Sequence, residues 1–206
     1  MANFKYQLIQ QALQTGWIQW AALILGVSEV LLAKANNILL YPAGLAATVL
    51  SVIILFNAQL FAESLLNVYY IVMSIYGWWF WIKRKNEPRV KITYANRADW
   101  MITGLIGLGG WLILFVFLKE LTPSTVPVWD AWVSSTAWAG MWLLARRKVE
   151  NWILLNLSNA FAIPLLFQKG LPLYALLTVF LFIVACFGYV DWVRIFKNET
   201  AEQRAR

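Results

Sequence analysis

Residues Ala62–Lys85, AESLLNVYYIVMSIYGWWFWIKRK, limit what this chain can fold into more than any other stretch. The run is long enough to cross a bilayer, which takes about 20 residues at a 1.5 Å rise. One face of it is polar: Glu63, Asn67, Tyr70, Ser74 and Gly77 recur at steps of four, three, four and three and share one side of a helix. Lipid cannot satisfy such a stripe, so it must face protein or water. Trp78, Trp79 and Trp81, followed by Lys83, Arg84 and Lys85, read as an aromatic belt and a basic exit on the cytoplasmic side.

Composition extends this reading to the whole chain. Of 206 residues, 61% are hydrophobic and 13% charged, against about 45–50% and about 25% in soluble domains. The sequence predicts an all-α integral membrane protein with seven transmembrane helices, near 17–35, 38–57, 60–82, 99–118, 126–145, 151–168 and 171–193. The stretch before residue 17 is polar and lacks a signal-peptide core. Residues 1–16 form one flank, 83–98 a charged loop and 194–206 a polar tail that ends the last helix. With seven spans, Lys5, Lys119 and Lys169 lie on the N-terminal side and the other fourteen basic residues lie opposite. That bias places the N-terminus outside and the C-terminus in the cytoplasm. The net charge of +7 is distributed between apolar spans, so it does not mark a nucleic-acid surface.

An internal repeat is legible. Trp17 and Trp20 recur as Trp129 and Trp132, and Lys34 falls opposite Arg146, at an offset of 112. Phe56 and Leu60 recur as Phe167 and Leu171, and Tyr76-Gly77-Trp78-x-x-Trp81 as Phe187-Gly188-Tyr189-x-x-Trp192, at 111. Spans one to three (17–82) thus resemble spans five to seven (126–193), with 99–118 as a linker helix. A parallel 3+1+3 arrangement is a transporter layout with its site near the midplane between the halves.

Thr48, Asn67 and Asn159 fall at one depth, with Asn156 one turn from Asn159 and Trp152 one turn below Asn156. Tyr70 lies on the polar face of span three, and Ser134, Ser135 and Trp138 come from span five. Together they suggest a cavity of amides, hydroxyls and aromatic rings, or else polar contacts that hold helices together. Glu29, Glu63, Asp130, Glu150 and Asp191 fall nearer span ends, where acids cap helices or pair locally. With no acid or base at the midplane, passive movement of a neutral or weakly charged solute is expected, and the aromatic walls suit an aromatic or cationic one. There is no histidine and a single cysteine, Cys186. No metal site, cofactor or catalytic constellation follows, so the chain does not read as an enzyme. A retinal-type photoreceptor needs a lysine in the last span, and 171–193 has none.

The run Tyr76-Gly77-Trp78 with Trp81, the pair Trp129 and Trp132 around Asp130, Arg147-Lys148-x-Glu150-Asn151-Trp152, and Gly188-Tyr189-x-x-Trp192 resemble the Pnu vitamin transporters. That resemblance implies a fold similar to the SWEET sugar transporters and a place in the bacterial cytoplasmic (inner) membrane. It implies facilitated diffusion of a vitamin, nicotinamide riboside first and thiamine as the alternative, trapped inside by a cytoplasmic kinase. Contacts to substrate are expected from Trp129, Trp132, Trp152, Asn156, Asn159 and Asn67, with Tyr70 and Thr48 beside them. A receptor that binds without transporting is a more distant alternative, and homo-oligomers are compatible with the aromatic surface.

Overall fold

The structure, a computed structural model, describes residues 2–57, 61–83 and 91–204, without the side chains of 2–5, 61–63, 65, 66, 83 and 202–204. Leu60, Glu63, Lys83, Arg84, Lys85 and Arg89, on which parts of the repeat, stripe and charge patterns rest, lie outside the described residues or side chains. The described residues are helical apart from short connections and one isolated bridge, Thr93 to Lys148. The helices are α1 Ala2–Gln14, α2 Trp17–Lys34, α3 Leu40–Asn57, α4 Phe61–Lys83, α5 Arg97–Gly104, α6 Gly110–Leu121, α7 Pro127–Ala145, α8 Asn151–Gln168 and α9 Pro172–Arg204. A π-helical turn, Leu105–Gly109, joins α5 to α6. Four helical stretches are both long and apolar enough to cross a membrane: Trp17–Lys34, Leu40–Asn57, Arg97–Leu121 and Pro172–Ala201. Exposed Leu, Ile, Val and Phe side chains along them have no water-soluble rationale, and the protein is integral to a membrane.

Six helices pack as a closed ring in the order α2, α3, α4, α7, α8, α9 and back to α2, while α5–α6 packs outside it on α7. Two of the turns that build the ring are closely alike. After α2, Asn36 N–H donates to Ala33 and Asn37 N–H to Leu32; after α7, Arg147 N–H donates to Leu144 and Lys148 N–H to Leu143. Both are Schellman turns, which need a left-handed residue just past the helix. Asn36 takes φ 53° and Arg147 φ 55°, the two such residues among those described that are not glycine. The two left-handed residues are separated by 111 in sequence. Counted back from these turns, Lys34 is level with Ala145 rather than with Arg146.

The same spacing governs the packing beside these turns. Tyr41 meets Trp81 edge-on at 5.2 Å and 86°, and Trp152 meets Trp192 edge-on at 5.7 Å and 89°. Each pair is buried against a glycine one turn before its second ring. A Cβ on Gly77 would overlap Tyr41, and one on Gly188 would come within 2.8 Å of Trp152. Here glycine is required by close approach, not by backbone conformation. Both pairs belong to one apolar cluster with Ala33, Leu40, Ile92, Leu144 and Val149. The Arg147 guanidinium lies 4.0 Å from the Trp81 ring centroid and donates to Asn36 Oδ1, and Trp192 Nε1 donates to Ala33 O at 3.0 Å. This cluster closes the ring at the end where α2 and α7 finish.

Three elements go beyond the expected spans. The polar N-terminal flank is helical, and Gln11 ties it down: its Nε2 donates to Gly170 O at 2.6 Å, and its Oε1 accepts from Leu173 N at 3.1 Å. The second part of the 83–98 loop is docked onto the α7–α8 turn. Thr93 N donates to Arg147 O, Val149 N donates to Thr93 O, and Ile92 is buried. The polar tail continues α9 to Arg204, because Lys197–Arg204 carries no helix breaker.

Candidate functional site

A cavity of about 880 Å³ runs between α2, α3, α4 and α9. Gln19, Ser51, Ile54, Leu55, Leu171 and Tyr174 line its outer part. These residues sit at the starts of α2 and α9 and the end of α3, so the cavity lies toward the end of the ring opposite the aromatic cluster. Deeper in, Gly26, Glu29, Thr48, Asn67 and Tyr70 line it. A smaller cavity of about 250 Å³ continues from Glu29, Thr48 and Tyr70 to Ala137, Met141, Leu155 and Trp152. Trp152 is therefore both a wall of this inner cavity and a member of the cluster beneath it.

Of the eight residues expected to contact substrate, Thr48, Asn67, Tyr70 and Trp152 are brought together at these cavities. The polar stripe of α4 faces protein: Asn67 and Tyr70 face the cavity, and Ser74 and Gly77 are buried. Trp129, Trp132, Asn156 and Asn159 are not among the lining residues. Trp129 is half exposed and stacks on Phe161 at 5.6 Å, and Trp132 meets the same ring edge-on at 6.0 Å. Asn156 Nδ2 donates to Cys186 Sγ at 3.3 Å. Thr48 on α3 and Asn159 on α8 are separated by 111 residues, as Asn36 and Arg147 are. From span five, Ser135 is fully buried and donates to the Trp132 carbonyl within its own helix. Trp138 stacks on Tyr69 at 4.4 Å and its carbonyl accepts the Tyr69 hydroxyl at 3.0 Å, joining α7 to α4.

Among the described side chains, which exclude that of Glu63, the acids near span ends pair as expected with one exception. Asp130 accepts from Lys169 and Ser124, both at 2.6 Å. Asp191 pairs with Lys34 at 3.5 Å, and both Glu150 oxygens accept Ala95 N at 2.9 Å. Glu29 does not follow. It lies about 18 Å along α2 from Trp17, by helix rise, and it is the one charged residue among the described lining of either cavity. Its depth was legible, but the sequence could not show that its side chain turns inward. The signal was Gly44 on α3, where a Cβ would overlap the Glu29 carboxyl group.

Asp99, which no sequence pattern singled out, is almost fully buried at the start of α5. It accepts from Asn96 N–H through the capping box and pairs with Lys148 at 3.0 Å and Arg146 at 3.5 Å. It fixes the linker helix to the α7–α8 turn and takes no part in the cavity.

Residues 16–194 match the sequence profile described as nicotinamide mononucleotide transporter. The nicotinamide riboside transporters PnuC of Escherichia coli (strain K12) and Shigella flexneri are each 27% identical over 216 aligned positions, covering 92% of this chain and 89% of theirs. The crystal structure of the vitamin B3 transporter PnuC is similar with a TM-score of 0.71 at 22% identity, covering 95% of this chain and 88% of that one, which establishes the fold. With a helical ring around a lined cavity and a profile match over nearly its whole length, this chain belongs to the nicotinamide mononucleotide transporter family, whose members are transporters and not enzymes.

Proposed function

We propose that the protein carries nicotinamide riboside across the bacterial cytoplasmic membrane by facilitated diffusion. The observation that carries this reading is the lining of the cavity. The family description names a nucleotide, whereas the relatives' names specify the riboside, which differs by one phosphate. A phosphate needs cationic or N–H donors, and neither cavity has Lys or Arg among its described lining residues. A carboxylate, a threonine, an asparagine and aromatic rings suit the dephosphorylated riboside. Thiamine, also a cationic aromatic, is the second reading, because the same lining serves it.

The seven helical stretches form parallel 3+1+3 repeats, 17–82 and 126–193, around the linker at 99–118, in the manner of the SWEET transporters. Two features support this layout. The ring order is unchanged when α2, α3 and α4 are exchanged with α7, α8 and α9. The two Schellman turns and the two edge-on aromatic pairs share one spacing. With the N-terminus outside, the large cavity faces outward and the aromatic cluster closes the cytoplasmic end. Rocking of one triple against the other would open the cluster and bring Asn156, Asn159, Trp129 and Trp132 of α7 and α8 toward the solute. A cytoplasmic kinase that phosphorylates the product would keep uptake running inward, a functional partner rather than a bound one.

The test is uptake of labelled nicotinamide riboside and thiamine into liposomes holding the purified protein, with no ion gradient. Saturable equilibration of the riboside, unaffected by its 5′-phosphate as competitor, is expected. A requirement for a proton or sodium gradient, or uptake of the phosphorylated form, would overturn this reading.

A further inference from the structure

The structure assigns Glu29 as the counter-charge for a positively charged aromatic ring, a substrate-binding and specificity residue. This inference rests on the transporter reading above and names the chemistry at the bottom of its cavity.

Four observations converge on it. Glu29 lines both cavities at the point where they meet, together with Thr48 and Tyr70. Among the described residues it has no ion-pair or hydrogen-bond partner, while Lys34 is engaged by Asp191 and Arg147 by Asn36 and Trp81. A carboxylate held inside a membrane protein without a partner is costly and marks a substrate or ion site. Trp152 and Tyr70 supply aromatic surface beside it, the combination that receives a flat cation.

Fourth, the fold does not need an acid there. By the repeat spacing, Glu29 corresponds to Gly140 and Gly44 to Leu155. In the second triple the same helix contact is made with the sizes reversed: Gly140 on α7 receives Leu155 of α8, whose side chain would lie 2.9 Å from an added Cβ. An apolar side chain fills the equivalent space in that half. The charge in the first half is therefore left over from packing and available for a ligand. A pyridinium ribosyl group meets these demands, and so does a thiazolium.

The experiment is calorimetric titration of the purified full-length protein in detergent. The ligands are nicotinamide riboside, its reduced dihydropyridine form (the same size but uncharged) and thiamine. Wild type should favour the cationic riboside over the reduced form by at least about tenfold. Glu29→Gln should weaken the cation by about 10- to 100-fold, the worth of one charge-assisted contact, and leave the reduced form within about threefold. Gly44→Ala keeps the carboxylate but displaces it. It should weaken the cation several-fold, and it carries the test if Glu29→Gln does not fold. Wild-type affinity for the cation in either variant, or equal loss of charged and reduced ligand in Glu29→Gln, would overturn the assignment of Glu29 and leave the transporter reading standing. If wild type binds only thiamine, thiamine becomes the cation against which both variants are read, by the same thresholds. Wild type that binds none of the three would overturn the transporter reading and the role of Glu29 with it.

Discussion

Replacing Gly188 by alanine tests how tightly the aromatic cluster closes its end of the ring. The new Cβ would lie 2.8 Å from Cε2, Cζ2 and Cη2 of Trp152, where carbon atoms rest at about 3.5–4.0 Å. The indole must retreat by several tenths of an ångström, and it has nowhere to go. It is 1% exposed and is held edge-on by Trp192, which is fully buried and bonded to Ala33 O. Overpacking of this kind costs about 1–3 kcal/mol, or roughly 2–12 °C in Tm for a chain of this size. The assay is thermal unfolding in detergent, beside Gly104→Ala as a control, where an added Cβ meets nothing within 4 Å. That control should be neutral or slightly stabilising, since alanine is the better helix former. Gly77→Ala should reproduce the loss on α4 through Tyr41. If Gly188→Ala melts with wild type, or melts no lower than Gly104→Ala, ring packing is not what requires these glycines.

Other outcomes follow from single contacts. Asp99→Asn should destabilise by about 3 kcal/mol, because it leaves Lys148 without its buried partner; Tm and protease resistance of the 91–99 segment would report it. Trp192→Phe keeps the edge contact but loses the bond to Ala33 O, and should cost about 1–2 kcal/mol, read by the same unfolding experiment. Trp152→Ala should abolish measurable ligand binding and lower Tm, whereas Trp129→Ala, at a half-exposed stack on Phe161, should change affinity by less than about twofold if the occupied site is the cavity of α2, α3, α4 and α9; calorimetry on both variants separates the two roles.

Much of the architecture was written in the sequence because a bilayer restricts the choices. Apolar runs of span length must be helices, and their ends are marked by aromatic and basic residues. The Gly77 and Gly188 motifs stand 111 residues apart in the sequence, and both glycines meet an aromatic ring in the structure. Where a helix stops is harder to read: a one-residue slip in a helix leaves composition almost unchanged, and the Schellman hydrogen bonds put Lys34 level with Ala145 rather than with Arg146. The α4 stripe pointed to a protein-facing side, and of Thr48, Asn67 and Asn159, read as lying at one depth, Thr48 and Asn67 line one cavity while Asn159 does not.

Depth, however, does not give direction around a helix axis, and that the tertiary structure alone decided. Asn156 and Asn159 lie at suitable heights on α8, yet neither is among the residues lining the two cavities in this arrangement of the ring. Glu29 looked like one more acid near a span end. It became the charged residue of the cavity because α3 presents a glycine, Gly44, where any other residue would push the carboxylate aside. That relation joins positions on two helices, and no periodicity within either helix encodes it. The sequence by itself determined that the chain crosses a membrane as a set of apolar helices. Which polar side chain waits at the bottom of the cavity was set by packing between helices, where the absence of one methyl group decides whether a charge can turn inward.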